Sequence, residues 1–192
     1  MKNAFSPYLN NFRHIYIDMP GFGKSSNDYI LTTNDYALII KEFFNILNTN
    51  IIAIAGHSFG GKVATLLNPE NLILLSTAGI LEEKSLQVKM KIKLAKIFNL
   101  FGLSKITKIF RSKDVNMMSE NMYETFKNIV NEDYSQIFKS YKKNAIIFWG
   151  DYDTATSVES GKQINNLIKN SSFNSYKSDH FFFIKYAQDS LL

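Results

Sequence analysis

Cysteine is absent from the 192 residues, so the chain can form neither disulfides nor thiolate metal sites, and redox compartment cannot be read from it. Only three histidines occur, His14, His57 and His180, and scattered imidazoles without paired carboxylates do not make a metal site. No apolar run approaches the roughly 18 residues needed to cross a bilayer. The opening, MKNAFSPYLNNF, has no continuous apolar segment of the kind a secretory signal carries. A cytoplasmic location is the resulting expectation. Acidic residues are missing from one region in particular: between Lys84 and Lys113 there are nine Lys or Arg and no Asp or Glu. The whole chain carries +5, so the remainder is slightly acidic. That balance argues against a uniformly basic nucleic-acid binder, and no DNA- or RNA-binding motif accompanies the charge.

What is present belongs to a folded globular protein: 45% of residues are apolar and 14% aromatic, at a length that fits one domain with a substantial core. RHIYID (13–18), IIAIAG (51–56), NLILLS (71–76), NAIIFWG (144–150) and SFNSYKS (172–178) read as strands. The first four are continuously apolar rather than alternating, as in parallel strands buried on both faces. Helical periodicity fills the intervals. Thr33 to Leu47 puts Tyr36, Ile39, Ile40, Phe43, Phe44 and Leu47 on one stripe behind a Thr32 or Thr33 cap. Shorter helices are expected over 61–67, stopped near Pro69, and over 161–168 with Ile164, Leu167 and Ile168 facing inward.

The expected fold class is therefore α/β, a mostly parallel sheet flanked by helices. Residues 81–143 break the alternation with helical stripes: Met90–Phe101, Ile106–Phe110, and Met122, Phe126, Ile129 and Val130. The expected organisation is a core over 1–80, a helical cap over 81–143 and a second core portion over 144–192. The lysines of the basic segment read as the solvated face of an amphipathic cap helix. The alternative is attraction for an anionic substrate, a carrier protein or a membrane surface.

Two glycine-rich turns carry the chemistry. DMPGFGKSS (18–26) suggests a phosphate loop, but that motif needs glycine where Asp18 stands, and Pro20 removes a backbone donor. The nucleotide reading fails. IIAIA runs directly into GHSFGG, which contains G-x-S-x-G over Gly56, His57, Ser58, Phe59 and Gly60. A sharp strand-to-helix turn there strains Ser58 and lifts its hydroxyl clear of the sheet. Flanking Cβ atoms would clash with neighbouring backbone, so small residues are needed. The following helix aims free N–H groups at the reaction centre. The competing reading is an ordinary serine in a glycine-rich turn.

With strand, motif and helix in this order, the chain resembles the α/β-hydrolase superfamily from Arg13 onward. DMPGFGKSS is similar to that family's D-x-P-G-x-G-x-S loop, which shapes a turn beside the active site and holds no phosphate. SDHFFF resembles the family's G-H-F, which would make His180 the general base; His14 reads as structural, and His57 is a weaker candidate whose side chain should point away from Ser58. WGDYDTATS resembles W-G-x-x-D-x-x-x-P, which would make Asp153 the acid rather than Asp151 or Asp179, with Ser157 in place of proline.

The resemblance implies acyl transfer to water through Ser58, His180 and Asp153, with the N–H of Phe59 in the oxyanion hole and no cofactor or metal. It implies a small-molecule acyl substrate, a carboxylic ester or, as a subtype, the carbon–carbon bond of a dienoate-type ketone. A serine nucleophile argues against dehalogenase or epoxide hydrolase chemistry. The family's earlier strands and His-Gly oxyanion loop have no counterpart here, so the sequence is expected to start mid-domain. RHIYI and IIAIA must then pair directly or leave unsatisfied backbone between them. A marginal or inactive hydrolase, or a non-catalytic binding protein, is the alternative this raises.

Overall fold

A computed structural model describes residues 1–82 and 118–188. Among them are four strands, β1 (Ile54–His57), β2 (Asn71–Leu75), β3 (Asn144–Gly150) and β4 (Ser171–Tyr176). The described helices are α1 (Lys2–Phe5), α2 (Thr33–Leu47), α3 (Phe59–Leu66), α4 (Glu120–Val130), α5 (Ser135–Ser140), α6 (Val158–Leu167) and α7 (Phe183–Tyr186). The strands form one sheet in the order β1-β2-β3-β4, and every neighbouring pair is parallel. Parallel neighbours require a crossover; α3 supplies it between β1 and β2, and α6 between β3 and β4.

Side-chain alternation decides how the sheet is covered. Leu72, Leu74, Ala145, Ile147 and Trp149 point to one face and are buried against Ala64, Phe138, Tyr141, Ile164 and Ile168 from α3, α5, α6 and their flanks. On the other face Leu75 and Phe148 pack with Phe182, Phe183, Ala4 and Phe5. Ile146 on that face is 41% exposed. The expected burial on both faces therefore holds only toward the carboxyl ends of the strands, where α1 and α7 lie. That is the end from which the site is built.

The helix over 33–47 starts where the sequence indicated, because Thr32 and Asp35 form a reciprocal capping box. Its apolar stripe is only half used: Tyr36 and Ile40 are buried, Phe43 and Leu47 half-buried, and Ile39 exposed.

Residues 13–18 depart from expectation. They join no strand pair, and β1 is the edge of the sheet. A cleft of about 650 Å³, lined by Arg13, His14, Tyr16, Phe43 and Leu47 among others, lies against this segment. An apolar sequence favours extended backbone, but a strand needs a neighbour about 4.8 Å away. Here His14 bonds locally instead, to the Tyr16 hydroxyl at 3.0 Å and the Leu9 carbonyl at 3.2 Å.

Of the inserted region, α4 realises the stripe at Met122–Val130, with Thr125 and Ile129 buried and Val130 exposed. It packs on the 21–33 segment, where Thr125 Oγ1 accepts from Leu31 N at 3.0 Å and Asn121 Nδ2 donates to Asp28 O at 2.9 Å. The stripes at 90–101 and 106–110 and the basic segment lie outside the described residues. No described helix is long and apolar enough to cross a membrane.

Candidate active site

Ser58 sits between β1 and α3 at φ 52°, ψ −121°, a left-handed backbone that a non-glycine residue adopts only under constraint. The constraint comes from β2 and the loop after it. Ser58 N–H donates to Leu75 O at 3.1 Å, while Ser58 O accepts from Ala78 N and from Thr77 Oγ1, each at 3.1 Å. Gly56 is required by space, because a Cβ there would stand 2.3 Å from Gly60 O. Gly60 is not: an added Cβ would meet no described atom. The second crowded position is Gly61, where a Cβ would fall 1.7 Å from Thr77 Oγ1. The expectation that both motif glycines avoid clashes thus holds for Gly56 and shifts by one residue on the other side. Phe59 is the first residue of α3, so its N–H has no intrahelical acceptor and remains available as a donor.

Asp153 and His180 are brought together from the loops after β3 and β4. His180 Nδ1 donates to Asp153 Oδ2 at 2.7 Å. The Asp153 carboxylate also accepts from Ala155 N (2.8 Å), Thr156 N (2.9 Å) and Thr156 Oγ1 (2.9 Å). Burial alone would raise its pKa; the donors around it outweigh that and pull it down to about 2, so it is ionised at neutral pH.

Gly150 lets the two loops meet, since a Cβ there would stand 2.1 Å from Asp179 O. Asp151 N and Tyr152 N then bond Tyr176 O and Ser178 O at 2.8 and 2.9 Å. Asp179 turns its carboxylate to Phe181 N at 2.9 Å, away from the imidazole. His180 Nε2 and Ser58 Oγ have no hydrogen-bond partner among the described residues, and no bond joins them in this structure. Because all strands run in parallel, the three residues share the carboxyl edge of the sheet.

Several contributors escaped the sequence reading. Glu82 Oε1 accepts from Ser157 N (2.7 Å) and Ser160 Oγ (2.6 Å), fastening the start of α6 behind the acid loop. Burial pushes the Glu82 pKa up, but these donors hold it below the ordinary value. Proline at 157 could not donate that N–H, and Ser157 caps α6 as well. Lys62, buried in α3, donates to Ile129 O at 2.5 Å and Glu132 Oε2 at 2.7 Å. Burial lowers its pKa and Glu132 partly restores it. A lysine one turn past a glycine-rich elbow gives no sequence signal of burial.

The DMPGFGKSS loop closes on itself. Asp18 Oδ2 takes Lys24 N at 3.0 Å, so a carboxylate fills the position a phosphate would need. Phe22 stacks on Phe59 at 5.9 Å, which sets the loop beside the elbow.

No family model matches the sequence, and no curated protein matches it. Solved structures do match. A lipase-esterase related protein from Clostridium acetobutylicum aligns at TM-score 0.73 and 17% identity, over 97% of this chain and 84% of that one. A meta-cleavage product hydrolase from Pseudomonas fluorescens aligns at TM-score 0.70 and 15% identity, over 98% and 80%. MenH from S. aureus aligns at TM-score 0.65 and 19% identity, over 98% and 85%. Parallel sheet, strand-end elbow and these alignments agree: the chain has the α/β-hydrolase fold.

Proposed function

We propose that the chain is a serine hydrolase acting on a small carboxylic ester. The reading rests on one observation above others: an ionised, buried Asp153 bonded to His180 Nδ1 at 2.7 Å, at the same sheet edge as a strained Ser58. Serine needs a base, and the base needs an orienting group. With Nδ1–H fixed on Asp153, His180 presents Nε2 as the acceptor. Ser58 Oγ attacks the acyl carbon as its proton passes to Nε2, and the oxyanion draws on the N–H of Phe59 at the start of α3. The imidazolium returns the proton to the leaving alkoxide. Water then attacks the acyl-enzyme with the same base and regenerates the serine. Catalytic hydrogen bonds are often long before substrate binds, so the unjoined Ser58–His180 pair is compatible with this cycle. The cycle calls on no cofactor or metal. α4, lying over the 21–33 segment, is the part of the proposed cap that would border a small acyl substrate.

Turnover of p-nitrophenyl esters of increasing acyl length tests the proposal. Hydrolysis abolished by Ser58→Ala supports it; hydrolysis that survives the substitution overturns it. A second reading, a non-catalytic hydrolase-fold protein, is favoured by the 13–18 segment, which joins no strand pair, and by the Ser58 and His180 side chains sharing no hydrogen bond among the described residues. Complete absence of turnover in the folded protein would favour that reading.

A further inference from the structure

His57 is not the base of the proposed cycle, yet its imidazole is engaged by the segment that carries the base. It ends β1, immediately before Ser58. Its Nε2 lies 3.0 Å from the backbone carbonyl of His180. A carbonyl oxygen only accepts, so the proton of this bond is on Nε2 and His57 is the Nε2–H tautomer. The ring is also enclosed by the segment it bonds. Its centroid is 4.5 Å from the His180 ring, 5.3 Å from Phe181 and 4.9 Å from Phe183, the last edge-on. Burial and the neighbouring His180 hold its pKa down to about 4, so the neutral tautomer persists at working pH.

The His180 loop has Lys177, Asp179 and Phe181 exposed, and its described backbone–backbone bonds reach Tyr152 and Phe182 but not the strand that carries the nucleophile. Asp153 grips His180 at the imidazole; nothing in that contact fixes the backbone from which the imidazole hangs. Residue 57, by contrast, is joined to the nucleophile by one rigid peptide unit of about 3.8 Å between Cα atoms. We propose that His57 is a positioning residue: its Nε2–H clamps the His180 carbonyl and so fixes the base relative to the backbone of Ser58. The proposal rests on the hydrolase reading for its consequence in catalysis, but the clamp exists independently of turnover.

Three substitutions test it. Gln at 57 can carry a donor to the Nε2 position; Phe keeps the volume without a donor; Asn has a donor too short to reach. His57→Phe and His57→Asn are expected to lower kcat about 10²-fold, the scale of a misplaced catalytic group, with KM within about twofold and His57→Gln close to wild type. Independently of activity, nitrogen-edited proton NMR should show the His180 Nδ1 proton bonded to Asp153 in wild type and His57→Gln. In the Phe and Asn variants that signal should be broadened or lost while the amide spectrum stays folded. An unchanged Nδ1 signal and unchanged kcat in both variants would overturn the clamp. So would a His57→Gln variant as inactive as His180→Gln, which would make His57 a proton carrier. If wild type shows no turnover, the hydrolase reading falls and the NMR comparison still decides the clamp.

Discussion

Lys62→Met isolates the charge that binds the elbow helix to the end of α4. The lysine side chain is 3% exposed and its ammonium lies 5.7 Å from the Phe59 ring centre and 4.9 Å from that of Tyr134, so methionine keeps the apolar stem and removes the charge with its ring contacts. Its loss leaves Glu132 Oε2 with the Thr33 hydroxyl as its remaining described donor and frees the Ile129 carbonyl in the last turn of α4. Breaking a buried ion pair from one side costs about 3–5 kcal/mol. Glu132 is 29% exposed and can partly rehydrate, so the low end, about 3 kcal/mol, applies. In a domain of this size that corresponds to a melting temperature lowered by roughly 6–12 °C. Circular-dichroism melts at pH 7 read this directly. The double variant Lys62→Met with Glu132→Leu removes the stranded charge and should recover at least half of the loss. Wild-type stability in Lys62→Met alone would refute the reasoning.

Gly60→Ala should be tolerated or stabilise by up to about 1 kcal/mol, as helix propensity dictates, whereas Gly61→Ala should sharply destabilise because its Cβ overlaps Thr77 Oγ1; paired urea titrations compare them. Acid stability should fall in two stages. His57 titrates at about 4 when folded against 6.5 in a free chain, so the unfolded state binds the extra proton between those values and stability drops as pH falls through that window. The 2.5-unit gap corresponds to at most about 3 kcal/mol. The facing charges are His180 and the Met1 ammonium, which lower this pKa, and Asp153, which raises it. Below pH 4, protonation of Asp153, at about 2 when folded, continues the loss. Urea midpoints measured against pH should show the upper stage in wild type and a flattened one in His57→Gln.

The strands of the site were legible because each is a short apolar run with a glycine or polar boundary, and NAIIFWG ends where β3 ends. The elbow was legible because a strained turn demands particular residues at particular spacings, whereas the acid and histidine loops were read only through their resemblance to family motifs. Asp153 over Asp151 followed the motif, and the bonds to Ala155, Thr156 and His180 supply the physical reason. RHIYID misled because composition specifies extended backbone but not a partner, and β1 offers it no ladder. Continuous apolarity in β3 likewise hid that Ile146 faces solvent. Lys62, Glu82 and the His57 contact were invisible for a different reason: each depends on a partner 67 to 123 residues away.

The central claim is that Ser58 is an activated nucleophile. Mass spectrometry of the intact chain after exposure to a fluorophosphonate probe tests it most directly. The expected result is a single covalent adduct mapped to Ser58, lost in Ser58→Ala and strongly slowed in His180→Gln. No adduct on a folded wild-type chain, or labelling of Ser58 that proceeds equally without His180, would contradict it.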